Sequence, residues 1–240
     1  MPTINGAPCV ARFEMPEVAD SVFVLPLDLE TDGGTRRYNP TAVETDSGLV
    51  LLDVGFPHTL DQLEAGLADS RYGLDDVELV LLTHHDGDHA SGLSTLLARI
   101  DALVAAHREE VPYVDGRQFP IKTPEDQERY EPVPVDLELV GGEAVRTAAG
   151  PMELLHTPGH SPGHLSAYLP DVKLLVTADA MVSEEGLAGP KPVYTPDMET
   201  AIESVGTLSD LDVAQVVCYH GGPIEATTDD VADVYASLSG

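Results

Sequence analysis

Short apolar runs that end in Asp or His recur along this chain. Val50-Leu51-Leu52 leads to Asp53, and Val77-Glu78-Leu79-Val80-Leu81-Leu82 leads to Thr83-His84. Leu174-Leu175-Val176-Thr177-Ala178 leads to Asp179, and Val213-Ala214-Gln215-Val216-Val217-Cys218-Tyr219 leads to His220. Apolar runs of this kind, bounded by turn residues, predict buried strands. Around them the pattern predicts strands at 21–27, 41–46, 48–53, 77–83 and 102–106, with a polar loop at 31–37. Thr59 to Asp69 sets Leu60, Leu63 and Leu67 on one helical face, and residues 90–100 repeat that spacing. A β-rich second half follows, with strands near 135–140, 144–148, 152–156, 165–169 and 173–177. Helices are expected at 197–209 and 228–238. The alternation of strands and helices places the chain in the mixed α/β (α+β) class.

Residues 110–134 break the pattern. They are rich in Pro and charge and carry Tyr113, Phe119 and Tyr130. The stretch reads either as a substrate lid or as an ordinary surface loop with a short helix. No repeat of fixed period and no low-complexity linker divides the chain. Its 240 residues suit a single domain, 1–240, with this variable loop inside it.

Chemistry concentrates where the second of these apolar runs ends. Thr83-His84-His85-Asp86-Gly87-Asp88-His89 holds three His and two Asp in seven residues. Imidazole and carboxylate suit zinc, iron and manganese. On an extended backbone His84 and Asp86 project to one side, and His85 to the other. Gly87 permits a tight turn before Asp88 and His89. An Asp capping a helix would explain part of this run, but a cap does not require three His. Thr157-Pro158-Gly159-His160-Ser161-Pro162-Gly163-His164 adds a turn with His at both ends. In layered folds the strand ends converge on one sheet edge, where sites are built.

Taken together, these motifs resemble the metallo-β-lactamase superfamily over roughly positions 40–225. The family pattern His-x-His-x-Asp-His, followed by a distant His, Asp and His, is matched by His84-x-Asp86-x-Asp88-His89, His160, Asp179 and His220. Asp53 matches an early supporting Asp. The resemblance implies an αββα four-layer sandwich with a metal site at one edge of the two sheets. It also implies two divalent metal ions, zinc first, with iron or manganese as alternatives. His84, Asp86 and His160 would hold one ion and Asp88, His89 and His220 the other, with Asp179 shared. Asp88 would also be catalytic, orienting the nucleophile. One position departs from the pattern: Asp86 stands where the family carries its second His. A third carboxylate shifts preference toward iron or manganese, and is also compatible with a first metal that is weakly held or absent. His164 is expected to support the turn, with substrate contact as the alternative.

Composition then narrows the setting. There are 42 acidic residues against 12 basic, a net charge of -30, and Lys only at 122, 173 and 191. The acids are dispersed rather than gathered in a tail. Such self-repulsion is tolerable where molar salt shortens the Debye length to about 3 Å, which suggests a salt-accumulating organism such as a haloarchaeon. An acidic surface made for a cationic partner is the rival reading. Nucleic acid is disfavoured, because Arg36-Arg37 is the only basic pair. No segment has the length of a membrane helix and the start lacks a signal-like pattern, so the expectation is cytoplasmic. Cys9 and Cys218 do not make a disulfide framework, and Cys218 reads as a small core residue.

The expected activity is therefore metal-dependent hydrolysis by a metal-bound hydroxide. The substrates would be small esters, lactones or thioesters, with Tyr194 and Tyr219 as candidate donors to a developing oxyanion. Alternatives are a mono-iron oxygenase resembling the persulfide-oxidising relatives, a phosphodiesterase or nuclease of the same superfamily, or a non-catalytic metal-binding protein. Oligomeric state is not legible.

Overall fold

A computed structural model describes residues 17–124 and 126–240; Cys9 lies outside the described residues. Its first sheet has seven strands. In spatial order they are β1 (Glu17–Ala19), β2 (Val22–Val24), β5 (Thr41–Glu44), β6 (Leu49–Leu52), β7 (Val77–Leu82), β8 (Leu103–His107) and β9 (Leu137–Leu139). The second sheet runs β10 (Ala144–Thr147), β11 (Gly150–His156), β12 (Leu165–Leu169), β13 (Leu174–Ala178), β14 (Gln215–Cys218) and β15 (Gly222–Glu225). A separate hairpin joins β3 (Leu27–Thr31) to β4 (Gly34–Tyr38).

Alternation along the strands builds the layers. Leu49 and Leu51 of β6 enter one core with α1 (Leu60–Asp69), through Leu60, Leu63 and Leu67, and with α3 (Leu93–Leu97), through Leu93 and Leu96. Val50 and Leu52 face the other way and meet Met152, Leu154, Leu165, Val176 and Val217 between the sheets. Leu175, Val216 and Cys218 turn outward to a third core with α5 (Met198–Leu208) and α6 (Thr228–Ser239), through Val205, Leu208, Val231 and Val234. These are the expected four layers, helix–sheet–sheet–helix. Strands with both faces buried read as continuous apolar runs, which is why the runs were visible in the sequence.

The parallel ladders matter most for function. β6 pairs parallel with β7, β7 with β8, and β13 with β14. The carboxyl ends of β6, β7, β13 and β14 therefore arrive at one edge, carrying Asp53, His84, Asp179 and His220.

Several elements differ from the sequence expectation. In place of one helix over 90–100 stand two short ones, α2 (Gly87–Ala90) and α3, the second ending at Leu97. The break falls at Ser91-Gly92, where the Gly92 N–H donates to the Gly55 carbonyl at 2.9 Å and a side chain would crowd that same oxygen. The expected polar loop at 31–37 is the turn and second strand of the β3–β4 hairpin, whose cross-strand Arg37–Asp28 pair hides its alternation in charge. The strand expected at 21–27 splits at Leu25-Pro26 between β2 and β3. The turn expected after His220 is short, and β15 follows at once. Asp61, Glu64, Asp69, Asp75, Asp76, Glu78, Asp229, Asp230 and Asp233 all reach the surface, so the acidic charge is spread over it. No helix among the described residues is long and apolar enough to cross a membrane.

Candidate metal centre

Two strand ends leave the regular backbone at the site. Asp53 follows β6 at φ +62° and Ala178 ends β13 at φ +46°, both in the left-handed region that costs non-glycine residues energy. Asp53 then faces β7. Its carboxylate accepts the Thr83 N–H at 2.8 Å, the Thr83 hydroxyl at 2.7 Å and the His89 Nδ1–H at 2.8 Å. The Thr83 oxygen in turn lies 3.1 Å from His84 Nδ1. With both Nδ1 atoms committed this way, Nε2 is the nitrogen that His84 and His89 aim into the site.

Those atoms converge on Asp179. His89 Nε2 stands 3.3 Å from Asp179 Oδ1, while His160 and His220 Nε2 stand 3.4 and 3.3 Å from Oδ2. Asp86 Oδ2 lies 3.3 Å from His84 Nε2 and 3.1 Å from His160 Nε2, and Asp88 Oδ2 lies 3.4 Å from His220 Nε2. The seven residues read from the sequence thus come together as two triads, His84–Asp86–His160 and Asp88–His89–His220, on either side of Asp179.

The donor set fits a divalent cation. His84 Nε2, His89 Nε2 and Asp179 Oδ1 are buried without a hydrogen-bond partner, a rare condition for polar atoms inside a protein. His89 Nε2 and Asp179 Oδ1 stand 3.3 Å apart without a hydrogen bond, and His84 offers a ligand atom within 4.8 Å of theirs, as lone pairs sharing a common target would. Donors about 2.0–2.1 Å from a tetrahedral ion stand about 3.3 Å apart, and the six contacts above span 3.1 to 3.4 Å.

The electrostatics follow the same division. Burial, then the neighbouring His89, holds His84 well below the usual imidazole pKa. At His89, burial opposes the charged form, but Asp53, Asp179 and Asp88 outweigh it and the pKa rises well above the usual value. Burial likewise opposes charge on His220, and Asp179 with Asp88 carries it up to about 9. Asp86 and Asp179 are held well below the carboxylate range; burial works against this, but His84 and His160 prevail at Asp86 and His220, His89 and His160 at Asp179.

The supporting residues are more specific than the sequence suggested. His85 does point away from the site, but into a buried network. Its ring pairs with Glu110, its N–H donates to Glu110 Oε2 at 2.9 Å, and its Nε2 accepts the Ile121 N–H at 3.2 Å. Glu110 also accepts from Ser161 Oγ at 2.8 Å and the Gly163 N–H at 2.6 Å, joining this network to the His160 turn. That turn is braced by α5, since Ser204 donates to the Pro158 carbonyl at 2.7 Å. His164 is buried and supports Asp179: its Nε2 accepts the Asp179 N–H at 3.1 Å while Nδ1 meets Thr157 Oγ1 at 2.8 Å. Both nitrogens are thereby used within the fold. Tyr219 is also buried, stacked 3.7 Å from His89, and its hydroxyl donates to the Asp88 carbonyl at 2.5 Å. The expectation that Tyr219 faces an oxyanion is corrected; Tyr194 is half exposed and lines the cavity. Cys218 is a buried core thiol, pushed up to about 12 by burial.

A cavity of about 390 Å³ opens over Asp86, Asp88, His160, Asp179 and His220. Arg36, Arg37, Lys122 and Lys191 line it, a third of the chain's 12 basic residues. The 110–134 segment forms part of its wall, with α4 (Val111–Val114) its one helix among the described residues. Sequence reasoning missed Glu110, which resembles any other acid in an acidic chain, and Lys122. The signal for Lys122 was rarity, since only three lysines are present.

Comparison with known proteins agrees with this geometry. A sequence model of the Metallo-beta-lactamase superfamily matches residues 33–220. The chain is 28% identical over 201 residues to the probable metallo-hydrolase YflN of Bacillus subtilis, covering 73% of this chain and 76% of that protein. It is 30% identical over 139 residues to a hydroxyacylglutathione hydrolase of Cereibacter sphaeroides, covering 58% of this chain and 46% of that protein. The solved structure of the metallo-beta-lactamase family protein TTHA1429 from Thermus thermophilus superposes with a TM-score of 0.72 at 24% identity, over 92% of this chain and 80% of that one.

Proposed function

The chain belongs to the metallo-beta-lactamase superfamily, and from that premise we propose that it is a metallo-hydrolase of small ester, lactone or thioester substrates. The observation that carries this reading is Asp179 standing between two His-and-carboxylate triads, with buried Nε2 and Oδ1 atoms left unpartnered. In this reading His84, Asp86 and His160 hold one divalent ion, Asp88, His89 and His220 a second, and Asp179 serves both. Zinc suits the imidazole-rich set; iron or manganese suits the carboxylate that Asp86 adds. Bound ions would supply a Lewis acid for the scissile carbonyl and bring the pKa of bound water toward neutrality.

The chain's own residues do the positioning. Thr83 and Asp53 keep His84 and His89 turned with Nε2 inward. His164 fixes the Asp179 backbone. Asp88, a quarter exposed toward the cavity, orients the attacking water and holds a proton for the leaving group. The cavity suits a small acyl substrate, and Arg36 at its wall favours one that carries a carboxylate, while Arg37 and Lys191 there are paired with Asp28 and Glu184. The hydroxyacylglutathione hydrolase among the relatives supports an acylated thiol as one such substrate.

The test is to purify the protein in molar KCl, the medium its surface charge favours, then strip it with chelator and reload it with zinc, iron or manganese singly. Each form is assayed on a lactone, a thioester, a carboxylic ester and a phosphodiester. Metal-dependent cleavage of an acyl substrate is the expected result. Turnover only with iron and oxygen uptake would replace this reading with an oxygenase, and turnover of the phosphodiester alone with a phosphodiesterase. Bound metal without turnover would leave a binding protein.

A further inference from the structure

Lys122 reaches the centre from the 110–134 segment. Its Nζ stands 2.5 Å from Asp86 Oδ2 and 2.6 Å from His160 Nε2. Two of the three donors of the His84–Asp86–His160 triad therefore already converge on a cation. The placement is built, not a stray rotamer of a surface lysine. The preceding residue, Ile121, donates its N–H to His85 Nε2, and Tyr130 donates its hydroxyl to the His85 carbonyl at 2.8 Å. The neighbours Ile121 and Lys122 thus dock on the neighbours His85 and Asp86. Lys122 is one-fifth exposed and Asp86 less, so the pair is sheltered from solvent.

The other triad is arranged differently. Among the described residues, the ion pairs of Asp88, His89 and His220 run to one another, to Asp53 and to Asp179. The asymmetry matches the one departure from the family pattern. Asp86 adds a negative charge that one side of the centre must neutralise, and Lys122 supplies a positive one there. A metal ion bonded about 2.0–2.2 Å from Asp86 and His160 would overlap the space the ammonium fills, so the two exclude one another.

We propose that Lys122 is an internal cation that competes with a divalent ion for the Asp86–His160 side of the centre. Building on the metal-dependent reading above, the Asp88–His89–His220 side fills first, and an ion enters the other side only as Lys122 withdraws. The centre is then switched from one ion to two by a side chain on the cavity wall, and whatever displaces that wall changes its metal content.

The test is titration of chelator-stripped full-length protein with Zn2+ by calorimetry, repeated with Co2+ by absorption, for the wild type, Lys122→Met and Lys122→Arg. The wild type is expected to bind one equivalent tightly and a second at least about tenfold more weakly. Lys122→Met should tighten the weaker class by about tenfold or more, and Lys122→Arg should leave it weak. An amine-reactive footprint of the wild type gives a second readout that no variant needs. Lys122 should be protected with one ion bound and labelled with two, while Lys173 and Lys191 report the general reactivity. Two equal tight sites in the wild type, an unchanged weak class in Lys122→Met, or constant Lys122 labelling would each overturn the proposal. Absence of any metal binding in all three proteins would instead overturn the metallo-hydrolase reading beneath it.

Discussion

The strand ends and the 110–134 segment reach the same cavity by opposite means. At the strand ends, parallel ladders bring Asp53, His84, Asp179 and His220 to one edge, and further bonds fix the aim of key side chains. His89 is held through Nδ1 by Asp53, and Asp179 through its N–H by His164. The segment has one short helix and little ladder of its own among the described residues. It is held from outside, by Glu110 at its start and by His85, which receives Ile121 and Tyr130. Regular backbone gives a donor set that cannot easily move; a segment pinned at a few buried points gives a side chain, Lys122, that can. Local stability of this kind is set by how much buried bonding each segment carries.

The largest expected effect tests the rigid side. Asp179→Ala removes the carboxylate that faces both triads. Activity on an acyl substrate should fall on the order of 10³-fold or more, several kcal/mol of transition-state stabilisation, with bound metal lost in elemental analysis. Retained metal content and rate would show that the triads work without a shared ligand, and the comparison would lose its fixed half.

Glu110→Ala tests the pinned side. It strands the His85 N–H, the Ser161 hydroxyl and the Gly163 N–H in a buried site. The loss should be about 3–5 kcal/mol in urea unfolding, with Glu110→Gln recovering part of it. A change below about 1 kcal/mol would mean that other contacts dock the segment.

Legibility in the sequence followed the same divide. Four apolar runs announced their strands because both faces are buried, and their terminal Asp and His were visible as a set. His85 was placed correctly by alternation, facing away from His84 and Asp86. What it faces was not legible, because its partners Glu110 and Ile121 are 25 and 36 residues away in a stretch without period. The β3–β4 hairpin was missed because its exposed strand carries charged residues, which give no apolar signal. The split of the 90–100 helix needed the Gly92–Gly55 approach, a tertiary contact that helical spacing does not report.

Asp53→Asn should have an intermediate effect. The amide oxygen could still accept from Thr83 but would offer no charge to the His89 Nδ1–H. Loss of a partner of this type commonly costs about 10–100-fold in metal affinity. Competition with a chromophoric chelator measures it, and a value unchanged within about twofold would show that Tyr219 stacking alone aims His89.

Tyr219→Phe should have the smallest effect, and it separates two roles cleanly. The Tyr219 hydroxyl donates to the Asp88 carbonyl inside the fold, and burial first, then Asp88, pushes its pKa well above the usual value. Phe keeps the ring against His89 and removes one hydrogen bond, for about 1 kcal/mol in stability. The Asp88 carbonyl then loosens, while its carboxylate still faces the cavity, so kcat should drop less than about tenfold with KM unchanged. A donor to a developing oxyanion behaves differently: its removal costs about 10²–10³ in kcat. A loss of that size, without a matching loss of stability or metal, would return Tyr219 to the reaction and show that the buried hydroxyl turns toward substrate.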